Sequence, residues 1–178
     1  VGQSYERILE LARHLEKIYD VETLIRAVPL VLQKMPDARF VIAGTGSHAP
    51  AIKDLARSLG VEEKARFTGP IHHALVAELM AGASIYVSTA TADGTSIALM
   101  EAIAAGLTPV VSDLEANRFL VTHGKDGYLF RPSDERDLAD KILMALSPGI
   151  APGILDKKRA DLKGLICWSS IANRFMSS

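Results

Sequence analysis

Cysteine is almost absent from the 178 residues. Cys167 stands alone, so no disulfide can close within the chain and nothing in it calls for an oxidising compartment. A cytoplasmic setting is the expectation. Charge of one sign is missing too, with 20 basic against 21 acidic side chains and a formal net charge of -1. Proteins that track a nucleic-acid backbone or lie on an anionic bilayer need a surplus of lysine and arginine, so neither nucleic acid nor an acidic membrane surface is expected as a partner. No apolar run reaches the roughly 18 residues of a membrane-crossing helix, and no basic-then-apolar leader opens the chain. The chain begins Val1-Gly2 without methionine, as expected of a piece of something longer. What is present, 48% hydrophobic and 23% charged residues, suits one compact domain of ordinary size and excludes a collagen, a mucin or a disordered tail.

Apolar bursts of about five residues alternate with helical patterns of ten to sixteen, which is the rhythm of strand-helix-strand units around a doubly wound parallel sheet. The fold class is therefore α/β, with about six strands. Arg7 to Arg13 reads as the first strand despite Glu10 in its middle. Asp20 is expected to cap a helix with an apolar face of Val21, Leu24, Ile25, Val28, Val31 and Leu32, kinked or broken at Pro29. Further strands are expected at Ala38 to Ala43, Ala65 to Thr68, Ser84 to Ser88, Pro109 to Ser112 and Tyr128 to Phe130. Helices are expected at Ala49 to Leu59, Leu75 to Ala81, Ile97 to Ala105, Glu115 to Thr122 and Asp134 to Leu146. The core thus spans about residues 7–146, followed by a hinge over 147–153, rich in Pro and Gly, and a helical tail over 154–178.

Such a sheet binds ligands beyond the carboxyl ends of its strands, which directs attention to two loops. In Gly44-Thr45-Gly46 the glycines allow the backbone to approach a ligand, and the next helix offers free N–H groups to an anion. As a dinucleotide fingerprint it fails, because the third glycine would fall on Ala49; a plain tight turn is the alternative. The second loop runs through Asp93-Gly94-Thr95-Ser96 into an apolar helix that contains Glu101. Eight positions turn a helix by about 800°, two full turns and about 80°, near enough for Asp93 and Glu101 to be read as sharing a face if both were helical. Asp93 also suits the positive end of the helix dipole. A capping Asp93 with a solvated Glu101 is the plainer reading, but a carboxylate between Met100 and Ala102 in so apolar a helix is expected to need a partner.

The run from Asp93 to Asp113, with Arg66-Phe67-Thr68-Gly69, Asn117-Arg118 and Trp168 followed by Ile171-Ala172, resembles the carboxyl-terminal, donor-binding domain of the retaining glycosyltransferases of family 4 (group 1), which have the GT-B fold. The likeness runs along nearly the whole chain. Its most specific part is the pair of acidic residues separated by seven others, Asp93 and Glu101. The resemblance implies that Glu101 accepts hydrogen bonds from the ribose of a nucleotide-sugar and that Asp93, shorter than the family's glutamate, holds hydroxyls of the donor sugar. It implies that Gly94, Thr95, Ser96, Ile97 and Ala98 form the helix start that receives the diphosphate, and that Gly44 and Gly46 keep a loop open near the donor. Arg13 matches the family's basic residue after the first strand. Lys17 is its companion four residues on, where the family uses five, and a solvated lysine at the start of a helix is the alternative reading. Ile71 falls where the family presents backbone to the nucleobase.

No cofactor and no metal are expected, since the chain has no Asp-x-Asp pair. The histidines at 14, 48, 72, 73 and 123 lack a ligand spacing, and Cys167 and Trp168 read as packing residues. The resemblance implies a metal-independent hexosyltransferase acting on a saccharide, lipid or other acceptor, with peripheral membrane contact by the whole enzyme left open. Its amino-terminal acceptor domain is absent here, so the isolated chain is expected to bind a nucleoside diphosphate sugar without turning it over. Two other readings stand beside it: a non-catalytic nucleotide-binding or interaction module, and half of a nucleotide-sugar epimerase.

Overall fold

The computed structural model describes residues 7–70, 73–92, 96–147, 150 and 152–166, and of residues 7, 10–14, 73, 74, 152, 161 and 163–166 the backbone alone. Six parallel strands, β1 (Arg7–His14), β2 (Arg39–Thr45), β3 (Ala65–Gly69), β4 (Ile85–Ser88), β5 (Thr108–Ser112) and β6 (Tyr128–Phe130), form one sheet. Its order is β3-β2-β1-β4-β5-β6. The chain winds outward from β1 to one edge, then returns to the other side of β1 and winds to the opposite edge. The direction reverses between β1 and β4, the position at which a doubly wound sheet characteristically binds its ligand.

Alternation along the strands divides the core into two layers. Ile8, Phe40, Ile42, Ile85, Val87, Val110, Tyr128 and Phe130 face α1 (Val21–Leu32), α2 (Ala49–Ser58) and α6 (Glu135–Leu146). Leu9, Tyr86 and Val111 face the other way, toward α3 (His73–Ala81), α4 (Ile97–Ala105), α5 (Glu115–Leu120) and α7 (Pro152–Ile166). Among the described residues no helix is long and apolar enough to cross a membrane.

Three local expectations need correction. Pro29 does not break α1, which continues to Leu32 with the Gln33 amide bonded to the Pro29 carbonyl at 3.2 Å. The side chains of Val21, Leu24, Ile25, Val28 and Val31 are fully buried, and that packing outweighs the roughly 3 kcal/mol a mid-helix proline costs. Asp20 does not cap the helix with its side chain. It sits in the left-handed region at φ 46° and its Oδ2 accepts from the hydroxyls of Thr23 (2.8 Å) and Ser133 (2.7 Å) instead. Ser133 is itself at φ 58°, so two strained backbones meet through one hydrogen bond that ties the loop after β6 to the start of α1. Finally, Gly44 and Thr45 are strand rather than loop, because β2 extends two residues beyond Ala43 to pair with His14.

The tail also begins earlier than expected, with α7 starting at Pro152 inside the anticipated hinge. It is fastened to the body by Leu162, buried in the second core layer, and by Lys158, whose Nζ lies 2.7 Å from Asp126 Oδ2 with both side chains largely withdrawn from solvent. Asp126 Oδ1 accepts from the Thr122 amide at 2.7 Å, so its charge is compensated on both oxygens. Cys167, Trp168, Ile171 and Ala172 lie outside the described residues.

Candidate functional site

The carboxyl ends of β1, β2 and β4 converge on a short 3-10 turn, η1 (Lys17–Tyr19), that sequence periodicity does not reveal. Each of its carbonyls and flanking groups is used. The Leu15 amide donates to the Thr45 carbonyl (2.9 Å) and the Leu15 carbonyl accepts from the His48 amide (3.0 Å). Gly46 lies between these bonds, where a Cβ would come within 2.6 Å of Leu15 N and 2.7 Å of Leu15 C. The space that Gly46 leaves is therefore filled by the chain itself, which explains the glycine without a ligand. Gly44, at φ 141°, needs to be glycine for its backbone.

From the other side the loop after β4 holds η1. Thr91 donates from both its amide (2.9 Å) and its hydroxyl (3.1 Å) to the Ile18 carbonyl, and the buried Thr89 hydroxyl donates to the Tyr19 carbonyl at 2.7 Å. Glu16 completes the assembly by accepting from the Ser47 amide (2.8 Å) and hydroxyl (2.7 Å). Lys17 stands exposed at the start of this turn, four residues after Arg13, the penultimate residue of β1, whose side chain is not among those described. Sequence reasoning missed Glu16, Ser47, Thr89 and Thr91. Short hydroxyl residues just after strand ends were the available signal, since they are the residues that bond to neighbouring backbone in loops.

The helix α4 opens at the same edge. Ser96 caps it, its Oγ accepting from the Leu99 amide at 3.3 Å and its carbonyl from the Met100 amide at 3.2 Å. Two donors of the first turn then remain, the amides of Ile97 and Ala98, which take no partner among the described residues. Leu99, Ala102 and Ile103 bury the opposite side of the helix against the sheet. Ile97 is 63% exposed, and Glu101, four residues on, lies on the same flank and is half-buried rather than immersed in the core. The structure thus brings Lys17, Ser96, Ile97, Ala98 and Glu101 to the side of the sheet where the winding reverses. Asp93, Gly94, Thr95 and Ile71 lie outside the described residues.

Adjoining this edge, Asp113 follows β5 and receives Arg118 on both oxygens, at 2.7 and 3.0 Å. The Arg118 hydrogen bonds hold the Asp113 carboxyl below its ordinary range against the opposing effect of desolvation. Asn117, buried, donates to the Ser112 carbonyl at 2.9 Å and sets the direction of α5. Of the histidines described, His48 pairs with Glu22 at 2.6 Å and His123 Nδ1 accepts from the Leu129 amide at 3.0 Å while its ring meets Tyr128 edge-on. Both are structural.

Comparison with known proteins gives this edge a context. Residues 6–147 match the model of the family described as Glycosyl transferases group 1. The chain is 32% identical to the phosphatidyl-myo-inositol mannosyltransferase of Mycobacterium tuberculosis over 95% of its own length and 45% of that protein's. It thus spans about half the length of the curated relatives it matches. Among solved structures, Staphylococcus aureus TarM, crystallised with UDP, fits with a TM-score of 0.86 at 20% identity, over 98% of this chain and 35% of TarM. The carboxyl-terminal domain of a group 1 family glycosyl transferase from Francisella tularensis fits with a TM-score of 0.75 at 18% identity, over 91% of this chain and 86% of that one. The six-stranded sheet is the Rossmann-like half of a GT-B fold, and the chain belongs to the group 1 glycosyltransferases.

Proposed function

We propose that this chain is the donor-binding half of a retaining, metal-independent hexosyltransferase and that a nucleoside diphosphate sugar binds where the winding reverses. The observation that carries the reading is the start of α4. The amides of Ile97 and Ala98, without a partner among the described residues, open on the same carboxyl edge as the turn that presents Lys17. An anion gains there from the N–H groups and from the helix dipole together. Glu101, on the flank below, suits the hydroxyls of a ribose, since an ionised carboxylate accepts from both hydroxyls of a diol.

In this reading Arg13, Lys17 and the α4 amides stabilise the negative charge that grows on the diphosphate as the bond from the sugar's anomeric carbon to the leaving oxygen breaks. The acceptor oxygen bonds to the same face of that carbon, and its proton passes to the departing diphosphate. No side-chain nucleophile is needed. Gly94 and Thr95 extend the diphosphate cradle, Asp93 holds the sugar and the backbone at Ile71 meets the nucleobase. The relatives' printed names, which include a mannosyltransferase and a peptide N-acetylglucosaminyltransferase, favour a sugar nucleotide as donor.

The acceptor would lie across this edge, on a second domain that the longer relatives have room for. Ile18 and Ile97 stand exposed at the ends of β1 and β4, and Phe119, 84% exposed, on the helix after β5. Apolar side chains in that position favour a covered face over a free-standing module. Where such a domain supplies the acceptor side, these residues by themselves do not hold both reactants together and are expected not to turn over.

The test is thermal unfolding of the chain with UDP, GDP and ADP and their hexose conjugates. A ligand at a hundred times its dissociation constant adds about 2.7 kcal/mol, which raises the midpoint of a domain this size by roughly 5–10 °C. One base is expected to give that shift and Glu101→Ala to lose most of it; no shift with any of them overturns the reading.

A further inference from the structure

We propose that Glu16 is a positioning residue for the diphosphate site, acting through Ser47 to fix the turn that presents Lys17. The inference rests on the donor-site reading above and concerns a residue that has no place in it. Glu16 immediately precedes Lys17, and its two oxygens accept from the Ser47 amide at 2.8 Å and the Ser47 hydroxyl at 2.7 Å, across 31 positions of sequence. These bonds close the outer side of a joint whose inner side is the Leu15 backbone packed on Gly46. Thr91 and Thr89 hold the far end of the same turn through the Ile18 and Tyr19 carbonyls. Remove Glu16 and the turn keeps its attachment to the loop after β4 but loses its outer attachment to the loop after β2, so Lys17 is no longer held at a fixed distance from the start of α4.

Charge makes the case distinctive. A carboxylate beside a diphosphate site repels the ligand, so a Glu16 with no positioning role would weaken binding, and its removal would tighten it. Positioning predicts the opposite sign. It also separates charge from shape, because Glu16→Gln can keep both contacts: its Oε1 accepts from the Ser47 amide and its Nε2 donates to the Ser47 hydroxyl. A plain electrostatic effect moves Ala and Gln variants together, toward tighter binding.

The experiment is calorimetric titration of the chain with UDP, GDP and ADP, then of the one that binds and its monophosphate into Glu16→Ala, Glu16→Gln and Ser47→Ala. Arg57→Ala, which breaks an exposed ion pair on α2, is the control. Glu16→Ala is expected to weaken the diphosphate about ten-fold, the size of one lost charge-assisted hydrogen bond, and the monophosphate by less than about two-fold. Ser47→Ala, which spares the amide contact, falls between, and Glu16→Gln recovers the affinity of the unmodified chain. If Glu16→Ala binds the diphosphate as tightly as before or tighter, or if both nucleotides weaken equally, the positioning role is overturned while the donor site stands. If the unmodified chain binds none of the three diphosphates, the donor-site reading fails and this inference with it.

Discussion

Gly46 is the point at which the site's backbone can be tested without touching a ligand. Its φ is not in the left-handed region, so alanine there meets no backbone penalty of its own, and an ordinary glycine-to-alanine change would stabilise by about 0.4–1 kcal/mol through the unfolded chain. The structure requires the reverse. An added Cβ would stand 2.6 Å from Leu15 N and 2.7 Å from Leu15 C, and Leu15 cannot retreat without loosening its bonds to Thr45 (2.9 Å) and His48 (3.0 Å). Overpacking against backbone and the weakening of one or two hydrogen bonds together amount to about 2–4 kcal/mol. For a domain of this size that lowers the midpoint of thermal unfolding by roughly 4–15 °C. Gly124→Ala is the comparison, because there φ is 74° and nothing lies within 4 Å, leaving only the left-handed penalty of about 1 kcal/mol. Circular dichroism melts of the two variants and the parent decide the matter. A Gly46→Ala midpoint within about 2 °C of the parent's would refute the account of the joint.

Lys158→Met leaves Asp126 buried with one oxygen unpaired, and is expected to lower stability by about 2–4 kcal/mol in urea denaturation, with Asp126→Asn in the same chain recovering part of it; no loss would show that α7 is not fastened through this pair. Asp137 offers a pH test. Burial pushes its carboxyl up, but the Arg131 amide and the cations of Lys141 and Arg131 outweigh it and hold it below the ordinary 3.8. A carboxyl depressed on folding contributes stability that is fully present above its unfolded value and lost as pH falls through the folded one. The unmodified chain should therefore lose more stability below pH 3.8 than Asp137→Asn does, as denaturation at stepped pH would read; parallel curves would refute it.

Much of the fold is legible because each strand alternates between two buried faces. Ile8 and Leu9, or Tyr86 and Val87, point to opposite layers, and short apolar runs in both phases, bounded by turn residues, suit a strand covered on both sides. Tyr128 to Phe130 and Ile97 to Ala105 were fixed to the residue, the latter because Ser96 and Gly106 are a cap and a stop of the kind that local chemistry dictates. Pro29 and Asp20 misled for a common reason: propensity is worth a few kcal/mol at most, and a fully buried apolar face or a partner 113 positions away overrides it. The site divides in the same way. The Ser96 helix start and Glu101 follow from local sequence, whereas the Glu16 to Ser47 clasp and the Thr89 and Thr91 attachments join residues 31, 70 and 73 positions apart. No periodicity marks such contacts, since they exist only once β1, β2 and β4 lie side by side.

The most direct test of the central claim is to ask where on the molecule a nucleoside diphosphate binds. Amide chemical shifts of the isotopically labelled chain, followed as UDP, GDP or ADP is added to saturation, report this residue by residue. The account predicts the largest changes at Ile97 and Ala98, with Lys17 and Ser47 next and α6 unmoved. Saturable binding whose largest changes fall on α6 or α2, with Ile97 and Ala98 silent, would contradict it.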